Sequence, residues 1–173
     1  MKEDQMLEPR TFYGAAKAAA THLAQAWAIQ NKAPVVVFRP ASITGLGEQS
    51  IHLIPTLIRS CLFGEEIPFV SDPVHDYVNV KDVASALGIL AQVAEEHRGE
   101  IFNVGNGVQH TNLQVKEMVE EITGKKATIT KSVKLNPQNI SDVWIADSTK
   151  MRDLGWKPKL SLYDSLKEMV RAI

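Results

Sequence analysis

From Thr11 to Lys32 the chain carries Ala15, Ala16, Ala18, Ala19, Ala20, Leu23, Ala24, Ala26, Trp27 and Ala28, with neither glycine nor proline after Gly14. This run of helix formers predicts one long helix that stops at Asn31-Lys32-Ala33-Pro34. Val35-Val36-Val37-Phe38 follows as a short, continuous apolar run, the pattern of a strand buried on both faces of a parallel sheet. Helical periodicity recurs over 51–63, 82–96, 111–123 and 161–172, and candidate strands fall between at 67–70, 76–80, 101–104, 128–131 and 143–146. The alternation of strand and helix gives the α/β class.

Helix starts carry their own signals. Thr111-Asn112-Leu113-Gln114 fits a capping box, Ser161 offers an N-cap with Asp164 in the first turn, and Asp82 is read as the N-cap of the helix through Leu90. Gly45-Leu46-Gly47 reads as loop, since Ser50 stands where a dinucleotide fingerprint would need its third glycine. A doubly wound sheet opens on a strand and a Gly-rich turn into a helix, whereas here a polar dozen residues leads straight into a helix. The first half of such a domain is therefore expected to be absent.

Composition narrows the function classes. The 173 residues hold 19 Lys plus Arg against 20 Asp plus Glu, a net charge of −1, with no run of five basic residues, so nucleic acid is not the expected ligand. At 45% hydrophobic and 23% charged, the usage is that of a folded globular chain. The single cysteine, Cys61, excludes an internal disulfide and a multi-cysteine zinc site, and His22, His97 and His110 lack metal-ligand spacing, so no metal is expected. No membrane span or signal peptide is visible, which makes the cytoplasm the default compartment.

Candidate chemistry centres on Tyr13 and Lys17, four residues apart and hence on one helix face. An adjacent ammonium favours the phenolate, and a positioned phenol can exchange a proton with a substrate hydroxyl. The spacing alone is equally that of a helix-start aromatic beside a solvated lysine.

The wider context adds more. Tyr13-Gly14-Ala15-Ala16-Lys17, then Val36-Val37-Phe38-Arg39-Pro40, His75-Asp76-Tyr77-Val78-Asn79-Val80-Lys81-Asp82-Val83, Phe102-Asn103-Val104-Gly105-Asn106-Gly107 and Leu154-Gly155-Trp156-Lys157-Pro158 form an ordered set. From about Glu8 onward this set resembles the extended short-chain dehydrogenase/reductases, and within them the NAD-dependent epimerase/dehydratase group that acts on nucleotide sugars. The resemblance implies the C-terminal part of a Rossmann-type doubly wound parallel sheet plus a small α/β substrate-binding lobe. Residues 1–45 and 76–105 would supply the sheet remainder, and 46–75 and 106–173 the lobe, in one incomplete domain.

The resemblance also assigns roles. Tyr13 would be the catalytic acid or base, and Lys17 would hold the nicotinamide ribose. Arg39, Pro40 and Ala41 would lie beside the nicotinamide of NAD or NADP. Ser42, Phe69, His75 and Asn103 would face a nucleotide sugar, a UDP-sugar for example, with His75 standing where relatives often have an arginine for the diphosphate. Asn103 and Gly105 are open to a second reading as a strand end and its turn. The family's Gly-rich NAD turn and its catalytic Ser or Thr have no counterpart before Tyr13, so the isolated chain is expected to be inactive. The alternative is a non-catalytic module that binds a nucleotide sugar or complements a partner chain. A homodimer through the Ala-rich helix is a further implication, though that surface could equally pack on the chain's own sheet.

Overall fold

The structure is a computed structural model that describes residues 1–71, 73–132 and 143–173. Helix α1 (Phe12–Gln30) opens on Thr11, whose side chain accepts from the Gly14 N–H at 3.0 Å. It closes beyond Asn31 with Lys32 at φ 50° and with the Ala33 N–H on the Ala28 carbonyl, the wrap-back that satisfies carbonyls left over at a helix end. Strand β1 (Val37–Pro40) leads through Ala41 into β2 (Ser42–Thr44), and helix α2 (Leu53–Phe63) follows. Pro55 is tolerated in α2 because it lies in the first turn, where its missing N–H has no intrahelical partner to lose.

Strands β3 (Glu66–Phe69) and β4 (Val74–Asn79) precede helix α3 (Val80–Val93). Then come β5 (Ile101–Val104), β6 (Gln109–Thr111), α4 (Asn112–Thr123), β7 (Thr128–Ser132), α5 (Thr149–Asp153) and α6 (Leu162–Arg171). β1 pairs with β5, β2 with β4 and β3 with β7, all parallel, while β6 runs antiparallel along the other edge of β4. Parallel pairs joined through helices are the α/β arrangement that the sequence predicts. The predicted capping box at Thr111 with Gln114 is present, and the predicted N-cap Ser161 also forms a capping box with Asp164.

Two expectations are corrected. Residues 143–146 form no strand, and two of their N–H groups go to side chains: Trp144 donates to Gln109 Oε1 at 3.0 Å and Ala146 to Asp76 Oδ2 at 3.1 Å. Asp82 is not the N-cap of α3. Asn79 is, with Oδ1 accepting from the Lys81 N–H at 2.8 Å, while the buried Asp82 carboxylate accepts from the N–H groups of Lys159 and Leu160, both at 3.0 Å.

Apolar packing divides into two clusters. One gathers Ile54, Leu57, Ile58, Ile67, Val115, Val119, Leu162 and Leu166 from α2, β3, α4 and α6. The other joins Val78, Val83, Ala86, Leu90, Phe102 and Val104 to Met151 and Trp156 around β5 and α3. Helix α1 contributes little to either. Ala28 is its only buried residue, while Phe12, Leu23, Trp27 and Ile29 are exposed, and the edge of β1 away from β5 has no strand partner among the described residues.

A buried charge ties α4 to β7. Glu120, 5% exposed, accepts from Lys116, Lys126 and the Ala127 N–H. Burial is the largest single influence and pushes its carboxyl up, but the lysine and backbone hydrogen bonds together outweigh it and bring the pKa down from 4.5 to about 2. A carboxyl depressed on folding contributes stability above its unfolded pKa and loses it as pH falls through the folded one. We expect Glu120→Gln to cost about 2 kcal/mol at pH 7 and progressively less from pH 4.5 down to about 2. Urea titrations of both chains across that window check this, and a pH-independent difference would count against it.

Candidate functional site

In open α/β sheets, ligands bind beyond the carboxyl ends of the strands. Here β1 and β5 end side by side, with Pro40 opposite Val104, and lead into Ala41-Ser42 and Gly105-Asn106-Gly107. The Ala41 N–H donates to the Val104 carbonyl at 2.8 Å, so the two exits stay together one residue past the strands.

Most of the sequence-predicted residues sit around these exits. Arg39 and Asn103 are register partners on neighbouring strands and project from the same face. Both meet the N-terminal segment: Arg39 Nη1 donates to the Glu3 carbonyl at 3.4 Å, Asn103 Nδ2 to the Met1 carbonyl at 3.1 Å, and the Asn103 N–H to Glu3 Oε1 at 2.9 Å. Burial lowers the Arg39 pKa, and the Glu3 carboxylate opposes that shift.

Ser42 and His75 are brought together, with Ser42 Oγ 3.3 Å from His75 Nδ1. His75 lies 5.7 Å, ring to ring, from Tyr77 and is paired across the strands with His110. Burial lowers the pKa of both imidazoles, with Asp76 opposing the shift at His110, so both rings are neutral at pH 7. The His110 Nδ1 atom is buried without a hydrogen-bond partner. Phe69, in contrast, is 6% exposed and packs inside the first apolar cluster, so it is a core side chain and not part of this surface.

Tyr13 and Lys17 stand apart from that group. They lie one turn apart near the start of α1, with Lys17 Nζ 5.6 Å from the Tyr13 ring centroid, and Tyr13 is 74% exposed. No hydrogen bond or ring contact among the described residues joins them to Ser42, His75 or Asn103, and the polar ends of both are free to meet a ligand. Among the described residues no group of His, Cys, Asp or Glu is arranged to hold a metal ion, and no helix is long and apolar enough to cross a membrane.

Asp76, which the sequence offers only as the first residue of a predicted strand, is a further member of this region. It is fully buried, and its carboxylate accepts from the N–H groups of Asn106 at 2.9 Å and of Gly107 and Ala146, each at 3.1 Å. Burial, the largest influence, raises its pKa, and these three hydrogen bonds oppose the rise. Beside it, Ser148 Oγ accepts from the Gly105 N–H at 2.9 Å. No local signal marks either contact, since the partners lie 30 to 70 residues away.

Comparison with known proteins places this arrangement. Residues 1–105 match the model of the NAD dependent epimerase/dehydratase family. The low-salt glycan biosynthesis protein Agl12 of Haloferax volcanii is 30% identical over 170 residues, covering 97% of this chain and 54% of that protein. The dTDP-glucose 4,6-dehydratase of Bacillus anthracis, solved in complex with NAD, superposes with a TM-score of 0.87 at 27% identity, over 98% of this chain and 54% of the other. MoeE5, solved with UDP-glucuronic acid and NAD, gives a TM-score of 0.88 at 29% identity, over 99% of this chain and 58% of the other. The chain thus spans about half the length of the relatives it matches. With the family match covering more than half of its residues and these Rossmann-fold neighbours superposing on nearly all of them, the chain belongs to the NAD dependent epimerase/dehydratase family.

Proposed function

We infer that this chain is the C-terminal, substrate-side part of an NAD-dependent epimerase or dehydratase of nucleotide sugars. The observation that carries the reading is the pairing of Tyr13 with Lys17 on one exposed turn, in a chain whose parallel strand exits gather Arg39, Ser42, His75 and Asn103. Tyr13 Oη and Lys17 Nζ fit the hydroxyl-rich ribose of a nicotinamide nucleotide, and Arg39, Pro40 and Ala41 supply the neighbouring strand end. When bound, NAD supplies the acceptor and donor of hydride. Tyr13, starting as the phenolate with the Lys17 ammonium beside it, takes the proton from a sugar hydroxyl as the carbonyl forms and becomes the neutral phenol; it gives that proton back when the carbonyl is reduced, and Lys17 again faces the phenolate. Ser42 and His75 orient the sugar nucleotide through hydrogen bonds, whereas the buried Asn103 holds the N-terminal segment; with both imidazoles neutral, contact with a diphosphate relies on N–H donation more than on charge.

A second reading has its own observation. The exposed apolar residues of α1 and the unpaired edge of β1 fit a chain that joins, non-catalytically, to another polypeptide or to a second copy of itself. Calorimetric titration of the purified chain with UDP-glucose, dTDP-glucose and NAD tests the first reading. The enzyme-part reading expects saturable binding of at least one sugar nucleotide, little or no binding of NAD, and no steady turnover. A folded chain that ignores both sugar nucleotides would overturn it.

A further inference from the structure

We propose that Asp76 is a positioning residue for the sugar-nucleotide site: its buried carboxylate clasps the Asn106-Gly107 turn and the segment at Ala146 to the end of the sheet, and thereby fixes how His75, Ser42 and His110 are presented. The proposal rests on the functional reading above.

A carboxylate is the side chain that only accepts, so two oxygens can meet three N–H groups without turning a donor toward any of them. Asp76 does this with no lysine or arginine paired to it among the described residues. The backbone closes down on it. A Cβ added to Gly105 would stand 2.5 Å from Asp76 Oδ2, 2.7 Å from the Ala146 Cβ and 3.2 Å from the Ala41 Cβ, so the exits of β1 and β5, the carboxylate and residue 146 meet at one point.

From that point the effect reaches the other face of β4. Successive residues of a strand point to opposite faces, so when Asp76 is held inward, His75 is held toward Ser42. Strand β6 pairs with β4 only through residues 74–76, and the turn that delivers β6 to that register is the one Asp76 holds. The pairing of His110 with His75 therefore depends on the clasp. Asn106 in the turn and His110 beyond it also line a cleft of about 300 Å³ together with Lys159 and Tyr163.

Two readouts on the purified chain test this: amide hydrogen exchange and UDP-glucose or dTDP-glucose affinity, in wild type and in Asp76→Asn. The substitution replaces one carboxylate oxygen by an NH2, which then faces either the Asn106 N–H or those of Gly107 and Ala146, so exchange on that side of the clasp should quicken at least tenfold while Phe102 and Val104 keep their rates, and affinity should fall at least tenfold. In the wild-type chain, where no variant has to fold, the sugar nucleotide should slow exchange at the same three amides. Exchange that quickens without loss of affinity, or a ligand that leaves those amides unmoved, overturns the positioning role while the functional reading survives. A wild-type chain that binds neither sugar nucleotide sinks the functional reading and the role with it, whatever the exchange shows.

Discussion

Replacing Trp156 by alanine should lower the unfolding free energy by about 3–5 kcal/mol, the range for deleting a large buried aromatic. The side chain is 2% exposed and packs in the cluster built around Val83, Leu90, Phe102 and Met151. Its indole Nε1 donates to the Asp82 carbonyl at 3.1 Å and lies 3.0 Å from Ser85 Oγ, so removal opens a cavity and also strips partners from the first turns of α3. Domains commonly hold about 5–15 kcal/mol in all, and the alanine chain should be substantially unfolded at 37 °C. Trp156→Phe keeps most of the volume and loses the donor, which costs about 1–2 kcal/mol. Urea unfolding followed by far-UV circular dichroism measures both. An alanine variant within about 1 kcal/mol of wild type would mean that the indole does not anchor α3.

Tyr13→Phe should lower turnover by about 10²–10⁴-fold with little change in fold. The hydroxyl removed makes no hydrogen bond among the described residues, and the ring is 74% exposed, so its loss costs little stability. Because the chain spans about half the length of its relatives, turnover is to be measured in a polypeptide that joins it to the remaining part of the Bacillus anthracis dehydratase. An unchanged kcat in an active fusion would remove Tyr13 from the chemistry. A drop in kcat with unchanged KM is the expected pattern for a group whose contribution is made in the transition state.

How far these features could be read from the chain depends on the range of the interaction. Helices α1, α2, α4 and α6 and the strands with continuous apolar runs are visible because period and capping are local. Strands β2 and β6, of 3 residues each, and α5, of 5, are too short to carry a period. The apolar Val143-Trp144-Ile145-Ala146 run looks like a strand, yet the N–H groups of Trp144 and Ala146 are taken by Gln109 and Asp76, a competition decided by residues far along the sequence. Asp82 satisfies the residue preference for an N-cap, but Asn79 reaches that position first and Asp82 is released to bind Lys159 and Leu160. Tyr13 and Lys17 were legible because their relation is one helical turn. The Ser42–His75 contact was not, because it depends on the pairing of β2 with β4.

Helix α1 holds the proposed proton-transfer pair while making few anchoring contacts: Ala28 is buried, Ala18, Thr21 and Ala24 are half-buried, and the Gln25 side chain donates to the Gly99 carbonyl. An isolated helix of 19 residues sits close to the length at which nucleation cost and propagation gain balance, even when rich in alanine. Its order therefore comes mainly from intrinsic propensity, and on warming it should fray and melt ahead of the two apolar clusters, giving a thermal transition with two steps. Any surface that covers Leu23, Trp27 and Ile29 would merge those steps and, by the same coupling, hold Tyr13 and Lys17 in register. The geometry of the proposed proton-transfer pair is thus thermodynamically linked to whatever packs on α1.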